Sequence, residues 1–224
     1  MKINSNLLKL IVVTLLSLIL TMVSSFVLAR FLSVDDRGLH QLFITSVSYV
    51  VTISTGGVGF ALAICMRNKQ YANWRFYLII FLIISVIVSG IALSLFNITS
   101  FYVLFIINVV LTAILTTTLD KSKIDPKLKI YRILTLQQPI LLVSIYGIAY
   151  LILGEQKLET ILYLLTLFST IQALLCLLYL YKIEKSFKNN NEIKDIDRKF
   201  FIATWFKQNL LQVFGATTAS LNKF

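Results

Sequence analysis

The chain has 224 residues, 58% of them hydrophobic and only 14% charged, with a formal net charge of +11. Soluble domains carry about one charged residue in four, so an ordinary soluble core is excluded. A nucleic-acid surface is excluded with it: the basic residues sit at the ends of apolar blocks and in short loops, not on one folded face. Cys65 and Cys176 have neither metal nor disulfide spacing and read as reduced packing thiols. His40 is the single histidine, so neither a His-based metal site nor a triad can be assembled, and no cofactor is implied.

A bilayer-spanning helix needs about 20 mostly apolar residues in a row. The sequence supplies six such blocks, which predicts an all-α polytopic bundle with spans at Leu7–Leu32, Gln41–Ile64, Phe76–Phe96, Phe101–Leu119, Ile133–Leu153 and Ile161–Tyr181. The first block follows Lys2 and Lys9 like a signal peptide. Its apolar stretch of about 20 residues is longer than a signal h-region, and it reads as a retained span. Thr14, Ser17, Thr21 and Ser24 share one of its faces, with Asn6 and Ser25 on the same side.

In the second span Gln41, Thr45, Ser48, Thr52, Thr55, Gly56 and Gly59 share a face about a third of the wheel wide, with Tyr49 beside it. The run Ser54-Thr55-Gly56-Gly57-Val58-Gly59 weakens the helix and allows a bend. Helices in hydrocarbon pack through small and hydroxyl residues. Such stripes therefore read either as packing seams or as cavity walls, and the size of Gln41 and Tyr49 favours a cavity wall in the second span. The third span is the most uniformly apolar and is expected to face lipid. Asn97–Ser100 breaks the apolar run; its Asn-Ile-Thr sequon lies too close to the membrane for a glycan and reads as a turn. The fourth span lines up Asn108, Thr112 and Thr116. The fifth holds Gln137, Gln138 and Pro139 just inside its basic end, where proline frees a backbone carbonyl that the amides can cap, or the amides can face water.

The expected division is a six-helix lobe over residues 1–199 and a distinct segment over 200–224. That segment is rich in small and polar residues and reads as the start of a seventh helix, or as an amphipathic helix on the inner leaflet anchored by Trp205.

Lys and Arg set the orientation. Sixteen lie in the N-terminus and in loops 67–75, 120–132 and 182–199; three lie on the other side, Arg30 at the end of the first span, Arg37 in loop 33–40 and Lys157 in loop 154–160. The N-terminus and the first set of loops are therefore expected in the cytoplasm, and the second set outside. Lys9 and Arg30 are the charges nearest the membrane. They read as snorkelling anchors or as contacts for an anionic head group. No carboxylate falls within a span, so no catalytic pair is available and an enzyme is not expected.

Two motifs resemble bacterial O-antigen and capsular polysaccharide flippases, within the superfamily of multidrug, oligosaccharidyl-lipid and polysaccharide exporters. The first is Ala29-Arg30-Phe31-Leu32 followed by Asp36-Arg37-Gly38; the second is Gly56-Gly57-Val58-Gly59-Phe60-Ala61-Leu62. In that family an Ala-Arg-type pair closes the first helix, an acidic Gly turn follows in the outer loop, and the second helix ends Gly-rich. The resemblance implies a bacterial inner-membrane protein that moves polyprenyl-pyrophosphate-linked oligosaccharides outward by rocking two six-helix lobes, often coupled to an ion gradient. It implies membrane lipids and the lipid-linked substrate as partners. Arg30 and Lys9 would be its cations, Gln41, Thr45, Tyr49, Thr52, Gln137 and Gln138 its polar contacts, and Gly56, Gly57, Gly59 and Pro139 its hinge and packing points. Family members are about twice this length. The chain is accordingly expected to be a fragment, completed by a C-terminal lobe, or a half-transporter completed by a second copy. A cation-coupled drug antiporter of the same fold would want an embedded carboxylate. A polysaccharide polymerase or transferase would want a larger outer loop than one whose acidic pair is Asp35-Asp36. A structural membrane subunit remains the bland alternative.

Overall fold

The computed structural model describes residues 5–96, 101–123, 128–154, 156–188 and 194–221. The turn expected at Asn97–Ser100 lies outside the described residues, as do the middle of loop 120–132 and residues 189–193 of loop 182–199. Eight helices are present among the described residues: α1 (Ser5–Phe31), α2 (Val34–Thr55), α3 (Val58–Arg67), α4 (Trp74–Phe96), α5 (Tyr102–Ser122), α6 (Lys129–Leu153), α7 (Leu158–Lys188) and α8 (Arg198–Leu221). Six stretches are long and apolar enough to cross a bilayer: Leu7–Phe31, Val34–Arg67 (α2 with α3), Trp74–Ser94, Tyr102–Ser122, Lys129–Leu153 and Leu158–Lys185. The chain is an all-α polytopic membrane protein.

Three expectations are corrected. The connection expected over 33–40 shrinks to Leu32 and Ser33, because the sequence there caps a helix. The Asp36 backbone N–H donates to Ser33 Oγ at 3.2 Å, and the Arg37 N–H to the Ser33 carbonyl at 3.1 Å. Asp35 and Asp36 sit in the first turn of α2, where the helix dipole favours negative charge. Asp36-Arg37-Gly38 is thus helical, not a loop turn. Helices α5 and α7 run past their expected ends, to Ser122 and Lys188. Lys121, expected in a loop, is in the last turn of α5 and only 4% exposed. Finally, the third span does not simply face lipid. Tyr77, Leu78, Phe81, Ser85, Ser89 and Ala92 form a buried face on α4, while Ile79, Ile83 and Ile87 are uncovered. The least covered span is α1, with 6% of its apolar window buried against 33% for α4.

The chain forms two compact units, Met1–Thr45 with Asp125–Gln172 and Ser46–Ile124 with Ala173–Phe224. In the first, α1 and α6 run side by side in the same direction. Ser17 Oγ meets the Thr135 carbonyl at 3.3 Å, Phe31 meets the Tyr150 ring edge-on at 5.7 Å, and the Gln156 N–H donates to the Phe31 carbonyl at 3.1 Å. Phe31, Leu32, Tyr146, Ala149 and Ile161 form the core at the C-terminal ends of these helices.

In the second unit α3, α4, α5 and α8 enclose a core built from Val58, Leu62, Tyr71, Trp74, Tyr77, Phe81 and Phe201. Helix α8 is held there by aromatic contacts, Phe201 to Tyr77 at 4.5 Å and Trp205 to Phe81 at 4.8 Å. The 67–75 turn is tied to residues 194–196: the Tyr71 N–H donates to the Lys194 carbonyl at 2.9 Å, and the Ile196 N–H to Asn73 Oδ1 at 3.0 Å. Lys121 Nζ closes this corner, lying 4.1 Å from the Tyr71 ring centroid and 5.0 Å from that of Trp74. Two stacked aromatic faces here replace the carboxylate that a buried lysine would ordinarily need.

Candidate functional site

The first unit carries a recess of about 690 Å³ where α1 ends, α2 begins and α7 begins. Its wall includes Arg30, Arg37 and Lys157, with Ser33, Asp36, Gln156 and Thr160. Among the described residues that line it, three cations stand against one carboxylate, which makes it a place for an anion. Below it, buried Phe31 and Leu32 anchor the strand of chain between the helices. Two interactions fix the rim: Arg37 Nε donates to the Leu32 carbonyl at 3.1 Å, and Thr160 Oγ1 donates to Gln156 Oε1 at 3.3 Å. Only one of the five guanidinium donors of Arg37 is used in that contact. Arg30 is exposed at the same rim.

Below Arg37, α2 has three faces. At roughly 100° per residue, Phe43, Val47, Val50 and Ser54 fall on one, and all are buried. Leu39, Leu42 and Ile53 fall on a second, apolar and uncovered, between 51% and 57% exposed. Gln41, Thr45, Ser48 and Thr52 form the third, in line with Arg37. Gln41, Thr45 and Ser48 are exposed, Thr52 is half-buried, and Tyr49 borders them at 39% exposed. Gln41 Nε2 donates to Thr45 Oγ1 at 3.4 Å, and Thr52 Oγ1 to the Ser48 carbonyl at 2.8 Å. Among the described residues nothing buries Gln41, Thr45 or Ser48, so this part of the stripe does not read as a packing seam. Arg37 heads it and was missed from the sequence because residues 33–40 read as a loop. Its spacing of four from Gln41 and the Ser33-x-x-Asp36 cap are the signals that place it on the helix.

The glycines behave differently. The helix breaks at Gly56-Gly57, with Gly57 at φ +79°. Into this break α8 inserts Asn209, whose Nδ2 donates to the carbonyls of Thr52 at 2.9 Å, Ile53 at 3.2 Å and Gly56 at 3.1 Å. A Cβ on Gly57 would stand 2.7 Å from Gln208 Cβ; one on Gly59 would collide with the Thr117 carbonyl and stand 2.9 Å from Asp120 Cβ. Gln212 of α8 donates to Asp120 Oδ2 at 3.1 Å. The Gly56–Gly59 segment is a close-packed bend locked by α5 and α8.

On α6, Pro139 is buried and lacks the N–H that would meet the Thr135 carbonyl. Ser17 of α1 supplies the missing donor at 3.3 Å. The glutamines do not: Gln137 Nε2 donates to Gln172 Oε1 at 3.4 Å, and Gln138 is half-buried. Lys9 is also far from Arg30. The two are 21 residues apart on one helix, which is roughly 30 Å, and Lys9 lines a separate groove with Lys129 and Arg132. The structure thus brings Arg30 and Arg37 to one recess, puts Gln41 and Thr45 on an exposed face of α2 with Tyr49 at its border and half-buried Thr52 at its inner end, and assigns Gly56, Gly57, Gly59 and Pro139 to packing.

No family model, no curated protein and no solved structure matches the chain.

Proposed function

We propose that the chain is the substrate-handling part of a flippase for polyprenyl-pyrophosphate-linked oligosaccharides. In this reading it lies in a bacterial cytoplasmic membrane, N-terminus inside, and serves O-antigen or capsular polysaccharide synthesis. The observation that carries the reading is the three-faced α2. The Thr45 and Thr52 hydroxyls bond within their own helix and tolerate hydrocarbon, but Gln41 has one weak partner for its whole amide, and an amide in lipid without partners costs several kcal/mol. A stripe uncovered by protein and headed by Arg37 is suited to a water-filled, sugar-lined path. The apolar face beside it is suited to lipid. The residues that carry the family resemblance support the same reading: Ala29, Arg30, Phe31, Leu32, Asp36 and Arg37 all line the cationic recess. Sixteen Lys and Arg against three put that recess on the outer side, where it would hold the pyrophosphate at the end of its crossing. Guanidinium pairs with phosphate through two parallel hydrogen bonds, which an ammonium cannot reproduce.

The test is surface polysaccharide in a strain whose own gene carries the substitutions. Arg37→Gln and Arg30→Gln are expected to reduce it severely, Arg30→Lys and Arg37→Lys to rescue it only in part, and Leu42→Ala to leave it unchanged. Normal polysaccharide in all four arginine variants, with the protein present at normal levels, contradicts the reading.

A further inference from the structure

At the opposite end of α1 from the cationic recess, the N-terminal turns of α1 and α6 enclose a groove of about 470 Å³. Its wall is apolar along the helices, with Leu8, Val12 and Val13 from α1 and Ile133 and Leu136 from α6. Its rim holds Lys9, Lys129 and Arg132, and no carboxylate among the described residues lines it. Lys9 and Lys129 are exposed. The lining apolar side chains Leu8, Val12 and Ile133 are 54%, 48% and 40% exposed, so nothing in the described chain covers the wall.

We propose that this groove binds one anionic phospholipid, its phosphate on Lys9, Lys129 and Arg132 and an acyl chain against Val12, Val13, Ile133 and Leu136. The groove fits a lipid by charge and by depth together. The basic residues all lie at the ends of apolar spans, where head groups lie, and the apolar wall runs on from there through Val12, Val13 and Leu136 to the depth where acyl chains lie. A soluble anion would use the rim and leave the wall empty; a neutral lipid would use the wall and leave the exposed Lys9 and Lys129 without a phosphate. Three cations around one phosphate also exceed what snorkelling requires of any one of them. The groove is formed by two parallel helices that pack along their length, so an occupying lipid would bridge their ends. The proposal needs only a membrane-embedded chain and does not rest on the flippase reading.

The purified protein, in mild detergent, is titrated with dioleoyl-phosphatidylglycerol or dioleoyl-phosphatidylcholine, and bound lipids are counted by native mass spectrometry. One phosphatidylglycerol is expected to be retained in strong preference to phosphatidylcholine. A basic side chain near an anionic lipid contributes about fivefold in affinity, so Lys9→Gln should weaken retention by about that factor, and Lys9→Gln with Lys129→Gln and Arg132→Gln by on the order of a hundredfold. Val12→Trp, which fills the wall and keeps every charge, should also weaken it, and Lys182→Gln, at an exposed cation outside the groove, should not. Equal retention of the two lipids, or a preference unchanged by the triple variant, overturns the proposal. So does displacement of phosphatidylglycerol by equimolar polyprenyl pyrophosphate, which would make the groove a substrate site.

Discussion

The run from Arg37 to Gly59 looks like one continuous polar and small-residue stripe, yet its two halves do different things. From Arg37 to Thr52 the stripe residues Gln41, Thr45 and Ser48 are exposed among the described residues. From Ser54 to Gly59 every residue is buried, and α8 and α5 reach the backbone itself. Small and hydroxyl residues are the common vocabulary of membrane helix packing and of polar cavity walls. What separates the two uses is the partner: an asparagine on α8 that reads three exposed carbonyls marks a seam, and the absence of any such partner marks an open face.

The largest effect is expected where the packed half has least room. Gly59→Leu drives a side chain into the Thr117 backbone, which cannot turn aside, and should cost about 3 kcal/mol or more. Gly90→Leu on α4, where nothing lies within 4 Å of the added Cβ, should be tolerated. The comparison is read as yield of monodisperse protein and unfolding temperature in detergent. Similar behaviour of the two variants would mean that the inner half is not packed as described. Asn209→Leu is next: it leaves the carbonyls of the break without their donor and should lower stability by about 1 to 2 kcal/mol.

Helix α1 extends the comparison, because its hydroxyls are also divided. Ser17→Ala removes the donor to the Thr135 carbonyl and should cost about 0.6 to 1 kcal/mol. In a Pro139→Ala background the helix regains its own N–H, so the same change should cost close to nothing. A loss of equal size in both backgrounds would show that Ser17 acts elsewhere. The smallest effects belong to the uncovered half: Thr45→Ala and Gln41→Ala should leave stability within about 0.5 kcal/mol, while the proposed flippase role expects them to lower surface polysaccharide.

The six spans were legible because apolar blocks of this length admit few other readings, and the Gly56–Gly59 bend because glycine pairs interrupt helices. The start of α2 was legible in principle, through the Ser33-x-x-Asp36 cap, but Asp35, Asp36 and Gly38 also suit a turn, and hydropathy alone begins the span at Gln41. Other features depend on residues far apart in sequence. That Ser17 serves the carbonyl freed by Pro139 depends on α1 and α6 running parallel. That Asn209 fills the bend depends on where α8 docks. Lys121 is buried because Tyr71 and Trp74 stack beside it, 5.5 Å apart and within 7° of parallel, and charge counting treats it as one more loop cation. In each case the residue type was visible and its partner was not.

The central claim is that the uncovered half of α2 has one face toward water and one toward lipid. Thr45→Cys and Leu42→Cys test it most directly, each made in a chain lacking Cys65 and Cys176 and exposed in intact membranes to a water-soluble methanethiosulfonate. Both positions are uncovered, Leu42 at 57%, and they lie about one helical turn apart in depth, so exposure and depth do not distinguish them. Thiolate forms in water and not in hydrocarbon. Thr45→Cys is predicted to react readily and Leu42→Cys to stay unlabelled; equal rates at the two positions, fast or slow, contradict the account.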